Sequence, residues 1–242
     1  MGVPTVVAVE RHPHLAQPRI PGYVRVDLHS HTMFSGDSTT TLDEIEESVS
    51  ESGIDVLFVT DHNAIAGAVR LKQALESDGI CRVVIGEEVR THTGEIIGLF
   101  LNERIVFGDN AIKTAQSIRS QGAVVYIPHP FDPMRHNITE ASLIELCDAG
   151  LVDAIEGHNS KTSLASLNAR AVSFAIQRGI PIGAGSDAHV PHAIGSAYME
   201  MPDFDGPTEF LAKISQGLMV GHHWDEHRPW SARIIPSVTE NY

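Results

Sequence analysis

The chain is poor in cysteine, in positive charge and in long apolar runs, and each shortage removes a class of protein. Its two cysteines, Cys81 and Cys147, show no C-x-x-C spacing, so they support neither a disulfide framework nor a thiolate metal site. They are expected to be reduced and packed. No stretch approaches the ~18 apolar residues of a membrane span, and the longest runs, such as Ile96 to Leu101, are strand-sized. A membrane partner is therefore not expected. Residues 1–10 contain no basic segment, no long apolar core and no small-residue cleavage site, which leaves no export signal and makes the cytoplasm the expected location. Lys and Arg total 17 against 31 Asp and Glu, a formal charge of −14 that repels a polyanion and argues against binding duplex nucleic acid. Small phosphorylated substrates stay compatible, because a site holding cations can be positive inside an acidic shell.

What is present is a core and an unusual number of histidines. A length of 242 residues with 42% hydrophobic content suits one large globular unit. Apolar, β-branched runs at 24–28, 55–60, 81–86, 96–101, 123–128, 153–157 and 181–186 predict strands. Helical patterns at 42–52, 64–77, 110–121, 140–149 and 163–178 alternate with most of them. Gly53, Gly79, Gly122, Gly150 and Gly179 stand where those helices should stop, and Thr41 with Glu44 resembles a capping box. Such alternation indicates a parallel sheet, open or closed.

The polar residues decide between the two forms. His29/His31, Asp61/His62, Glu87/Glu88, His129, Glu156/His158 and Asp187/His189 each follow a predicted strand. In a barrel those strand ends meet on one rim, where barrel enzymes build their sites. The expected fold is therefore α/β, a distorted TIM-like barrel of about seven βα units. Residues 1–22, with His12-Pro13-His14, read as an irregular arm in which Val6 to Val9 could add an edge strand. Residues 23–200 form the barrel, and 201–242 a tail packed on it.

Six ordered motifs carry a resemblance: Asp27-Leu28-His29-Ser30-His31-Thr32, Ser35-Gly36-Asp37, Thr60-Asp61-His62, Gly86-Glu87-Glu88-Val89, Ile127-Pro128-His129-Pro130 and Gly185-Ser186-Asp187-Ala188-His189. Together they resemble the polymerase and histidinol phosphatase (PHP) superfamily of metal-dependent phosphoesterases, with a PHP-associated region at the C-terminal end. That resemblance implies a (β/α)7 barrel holding two or three divalent ions. His29, His31, Glu88 and Asp187 would hold the first ion, Glu88 would bridge to a second bound by His129, and Asp37, His62 and His189 would hold the third. Mixed imidazole and carboxylate ligands suit Zn, Mn or Fe. Many members carry a histidine where this chain has Ile97, so the second ion is short of a ligand unless His92 or Glu95 substitutes.

The implied activity is hydrolysis of a small phosphomonoester, such as a nucleotide, a sugar phosphate or a histidinol-phosphate-like compound. A metal-bound hydroxide would attack, since a bound water's pKa falls from 15.7 to about 7. Asp61 or His158 would help move the leaving-group proton, although Asp27 and Asp61 also read as residues that orient imidazoles. Arg135 and Lys161, in loops above the rim, are candidates for binding phosphate oxygens. Glu87 should face away from Glu88. An exonuclease or oligonucleotide phosphatase, and a metal-stabilised scaffold without turnover, are the alternatives. The segment His222-His223-Trp224-Asp225-Glu226-His227 looks metal-binding but lies outside the ordered motifs, and reads as a polar loop closing over the rim, with Trp224 and Trp230 as an apolar lid against substrate or an anchor of the tail to the barrel.

Overall fold

The computed structural model describes residues 2–77 and 79–224. Strand β1 (Tyr23–Ser30) is followed by helix α2 (Leu42–Ser52), β2 (Val56–Val59), α3 (Ala66–Ser77), β3 (Arg82–Thr91), β4 (Gly94–Leu99), α4 (Ala111–Ser120) and β5 (Val124–Ile127). Helix α5 (Glu140–Asp148), β6 (Ala154–Asn159), α6 (Ala165–Arg178) and β7 (Ile182–Gly185) complete the barrel. Helix α1 (Val6–Arg11) precedes it, and β8 (Ala197–Pro202), α7 (Gly206–Lys213) and β9 (Leu218–Gly221) follow. The seven strands expected from the sequence are all present, in a distorted TIM-like barrel.

Sheet order is β7-β6-β5-β4-β3-β2-β1-β8-β9. The sheet closes on itself at one end only: Asp187 N donates to His29 O at 2.8 Å and His31 N donates to Ala188 O at 2.9 Å. Lower down, β8 pairs antiparallel with β1 from Tyr23 to Val26 and takes the place beside it. The closure therefore lies at the rim where the histidine motifs are.

One strand departs from the parallel expectation. β3 runs on past Gly86 to Thr91 and turns directly into β4, which pairs antiparallel with both β3 and β5. Its N-terminal end therefore reaches the same rim as the C-terminal ends of its neighbours. The arm departs too, since Val6–Arg11 is a helix rather than a coil or an edge strand. Thr5 caps it by accepting from Ala8 N at 3.2 Å, and Ala8 buries against the α2 side of the barrel.

Local signals that did not depend on tertiary contacts formed as read. Thr41 accepts from Glu44 N while Glu44 accepts from Thr41 N at 2.9 Å, a complete capping box. Gly53 and Gly179 close their helices at φ 69 and 66, a left-handed turn that other residues adopt at a cost. Inside the barrel Leu28, Phe58, Ile97, Leu99 and Tyr126 pack with Met199, Met201 and Phe210, while two further apolar clusters lie between strands and helices. Cys81 and Cys147 are free. Among the described residues no helix is long and apolar enough to cross a membrane.

Candidate metal centre

The barrel brings all eight ligand candidates to the closed rim. Nε2 of His29 stands 3.0 Å from Nε2 of His31, and both face Glu88 Oε2 at 3.3 Å. Asp187 Oδ1 lies 3.3 Å from His31 and 3.7 Å from His29. Glu88 turns its other oxygen to His129 Nε2 at 3.0 Å. Asp37 Oδ2 lies 3.0 Å from His189 Nε2 and 3.3 Å from His62 Nε2. Three groups of candidate metal ligands result: His29, His31 and Asp187; His29, Glu88 and His129; and His31, Asp37, His62 and His189. A fourth, His62, Glu88 and Glu95, includes a residue named only as a substitute.

The hydrogen bonds around these rings test whether cations fit. His29 Nδ1 is 3.0 Å from Glu156 Oε1, a partner that can only accept, so Nδ1 keeps a proton and, in the neutral ring that binds a metal, Nε2 presents the lone pair. Ser35 donates to Asp37 Oδ1 and so accepts from His31 Nδ1 at 3.1 Å, which again leaves Nε2 bare. His189 Nδ1 donates to the Asp187 carbonyl at 2.8 Å. Bare nitrogens then face each other and carboxylate oxygens at about hydrogen-bond distance. Such contacts repel unless a positive charge lies between them, and a divalent cation meets that need for nitrogen and oxygen donors together.

The electrostatics show the same demand for positive charge, which a proton on the ring meets when no cation is bound. Burial disfavours a charged His29, yet Glu156, Asp187 and Glu88 outweigh it and raise its pKa well above the usual value. Burial likewise opposes ionised Glu88 and Asp187. His62 and His29 hold the first well below its ordinary value, and Arg135 and His29 do the same for the second. The site is arranged to keep its carboxylates negative.

Local backbone features explain the convergence. Register shifts in β1 between Asp27 and Ser30 and in β6 between Glu156 and His158, and each shift changes which residues face inward. At Gly185 a Cβ would come within 2.5 Å of His29 Cβ, so glycine lets β7 approach β1 closely. His129 and Asp187 adopt positive φ of 28 and 53, which costs about 1–3 kcal/mol each and is characteristic of functional sites.

Several role assignments change. The β6 shift turns Asn159 inward, where it donates to Glu156 Oε2 at 2.9 Å and Asp187 Oδ2 at 3.2 Å. His158 consequently faces the other way, beside His222, His223 and His14, and not the cage; burial lowers its pKa. Asp61 does not face the cage either. Its two oxygens accept from Thr32 N at 2.6 Å and Thr32 Oγ1 at 2.8 Å, fixing the backbone after His31. Asp27 orients backbone rather than imidazole, accepting from His29 N and Ser186 N at 3.2 and 2.9 Å. The carboxylate that orients a ring is Glu156, which also accepts from His129 N at 2.8 Å. Its strand-end position was visible in the sequence, but its partner was not.

Glu87 faces away from Glu88 as expected, accepting from Ile105 N at 2.7 Å, with burial pushing it up to about 7. Arg135 Nη2 lies 3.3 Å from Asp187 Oδ2, and Lys161 is close enough to bias both Asp187 and His189. Arg135 Nη2 also donates to Lys161 O at 3.4 Å, so the two cations stand side by side next to the cage. His92 is exposed, whereas Glu95 is 2% exposed and lies 3.6 Å from His62 Nδ1. Burial and the neighbouring Glu88 push Glu95 up to about 7. His222 and Trp224 pack on the arm: His222 Nε2 is 2.9 Å from His12 Nδ1, and the Trp224 ring meets His12 edge-on. Trp224 N also donates to Ser160 O at 2.8 Å, which anchors the segment to the barrel. His227 and Trp230 lie outside the described residues.

Comparison with known proteins agrees with this geometry. Residues 27–146 match the model of the PHP domain, and residues 165–218 that of the PHP-associated region. The uncharacterized protein MJ0417 of Methanocaldococcus jannaschii is 32% identical over 197 residues, covering 78% of each chain. Its fellow MJ1587 is 40% identical over 121 residues, 46% of this chain and 70% of the relative. Among solved structures, a two-domain Bacteroides vulgatus protein containing a predicted PHP-like metal-dependent phosphoesterase aligns with a TM-score of 0.69 at 17% identity, over 85% of this chain and 67% of its own. PsfC from Pseudomonas syringae aligns at 0.62 and 17%, over 83% and 92%. Ordered motifs, barrel and relatives coincide, and the chain belongs to the PHP family.

Proposed function

We propose that this protein is a metal-dependent phosphoesterase that hydrolyses a small phosphomonoester. The observation that carries the reading is the set of bare imidazole nitrogens and carboxylate oxygens facing one another across the rim, with Arg135 and Lys161 beside them. Divalent ions held there would lower the pKa of a coordinated water towards about 7 and neutralise charge on a phosphate.

The chain's own residues supply orientation and selectivity. Glu156 and Ser35 hold the His29 and His31 rings by Nδ1, so that Nε2 would be the atom that holds an ion. Arg135 offers a planar fork and Lys161 a point charge to phosphate oxygens that leave the cage. The −14 charge of the whole chain disfavours long polyanions, so a nucleotide-sized or sugar-phosphate-sized substrate is favoured over an oligonucleotide. Asp61 and His158 are not part of this assignment, because one is sealed by Thr32 and the other faces the arm.

The test is turnover by protein stripped with chelator and reloaded with Mn, Zn or Fe, on an aryl phosphate, a nucleotide panel and short single-stranded DNA. Hydrolysis of monoesters that needs added metal is the expected result. Cleavage of DNA without monoester turnover would replace the reading with a nuclease. Silence with every metal would leave a scaffold.

A further inference from the structure

The β3–β4 hairpin poses a charge problem that the eight ligands do not resolve. In its register Glu88 lies opposite Ile97 and Arg90 opposite Glu95, so all four side chains share one face of the pair. Because β4 runs antiparallel, Glu95 stands one pleat nearer the rim than Ile97, whose side chain is fully buried in the barrel interior. The result is that Glu95 shares its nearest ring nitrogen with Glu88, which unlike Glu95 also has His29, His31 and His129 around it. Glu88 Oε2 lies 3.3 Å and Glu95 Oε1 3.6 Å from His62 Nδ1, while His62 Nε2 already faces Asp37.

A single Nδ1 proton cannot satisfy both anions. Arg90 approaches Glu95 at 3.4 Å, but its side chain is half-exposed and its charge is screened by water. A buried carboxylate without a full counter-charge is costly, and the cost falls when a cation sits between it and its neighbour. His62, Glu88 and Glu95 offer three ligand atoms within 4.8 Å of one another, a spread that suits an ion.

We propose that Glu95 is a metal ligand of this chain, which shares a cation with Glu88 at the end of the cage where Ile97 supplies no donor. An added carboxylate oxygen in place of an imidazole nitrogen hardens the donor set and biases that position towards Mn2+ over Zn2+. The inference rests on the metal-dependent reading of the cage, but its test does not need turnover.

Wild type, Glu95→Gln and Glu95→His are stripped with chelator and titrated with Mn2+ and with Zn2+, with bound ions counted by elemental analysis and Mn2+ also followed by its spin resonance. Glu95→Gln is expected to bind one Mn2+ fewer per chain, or to bind it about tenfold or more weakly. Glu95→His is expected to regain the ion with Zn2+ favoured. The Gln side chain has nearly the same shape and removes a buried charge, so the stripped variant should melt no lower than the stripped wild type. If it fails to fold, the Glu95→His titration decides alone: unchanged Mn2+ against Zn2+ preference overturns the proposal. Equal Mn2+ count and affinity in wild type and Glu95→Gln also overturn it, leaving the phosphoesterase reading intact. A wild type that binds no ion sinks both.

Discussion

Two groups of histidines in this molecule are built from the same side chain and reach opposite electrostatic outcomes. On the rim, His29 and His31 are buried and His62 half-buried among Glu88, Glu156, Asp187 and Asp37, and these carboxylates overcome desolvation to raise their pKa values, that of His62 to about 10. Where the arm meets the end of the described chain, His12, His14 and His222 pack on one another and on Trp224. There burial dominates: His12 and His14 are pushed down to about 4, and their Nε2 atoms donate to the carbonyls of His192 and Gly195 at 2.7 and 2.8 Å. His189 shows the boundary between the two, because burial together with His31 and Lys161 lowers it to about 4 although it lies on the rim. What separates a cage for cations from a neutral packing cluster is the carboxylates in reach, not the number of imidazoles.

The sharpest way to break this comparison is to remove a rim ligand. His62→Ala and Asp187→Ala are each expected to abolish phosphomonoester hydrolysis while circular dichroism stays native. Full activity in either would mean that the rim is not the working cage. Removing the residue that aims a ring should cost less: Glu156→Gln is expected to weaken metal binding by about 10–100-fold, measured by titration, because the His29 ring loses a charged anchor.

The arm cluster should answer to pH instead. His12 and His14 have folded-state pKa values below the unfolded 6.5, so protons bind the unfolded chain more readily between about 6.5 and about 4. Their contribution to stability is complete above about 6.5 and is lost as pH falls towards about 4. Hydrogen exchange in α1 and β9 should therefore quicken over that interval, and His12→Phe should flatten the response. The smallest effect is expected at His158, whose variant His158→Asn should keep turnover within about twofold, since the ring lies on the arm side of β6. A large loss there would place His158 back among the residues that handle protons.

Much of this is legible in the sequence. Strand positions followed from β-branched runs, helix ends from Thr41, Gly53 and Gly179, and the rim from histidines placed after strands. All of these are local patterns, which a sequence displays directly. The direction of β4 was not legible, because an apolar run of six residues looks alike in either direction and only the short Thr91–Gly94 turn excludes a crossover. Helix α1 was obscured by its valines, whose strand preference gave way to the Thr5 cap and to packing on the barrel.

The roles of Asp61, His158, Glu156 and Glu95 were hidden for a different reason. Each depends on a side chain distant in sequence: Thr32 for Asp61, His222 for His158, His29 for Glu156 and His62 for Glu95. By itself the sequence determined the residue types, their order and the rim they would share, since period and capping are properties of neighbours along the chain. Only the tertiary structure decided which of those residues face one another, because a single-residue shift of register in β1 or β6 reverses the face of everything beyond it.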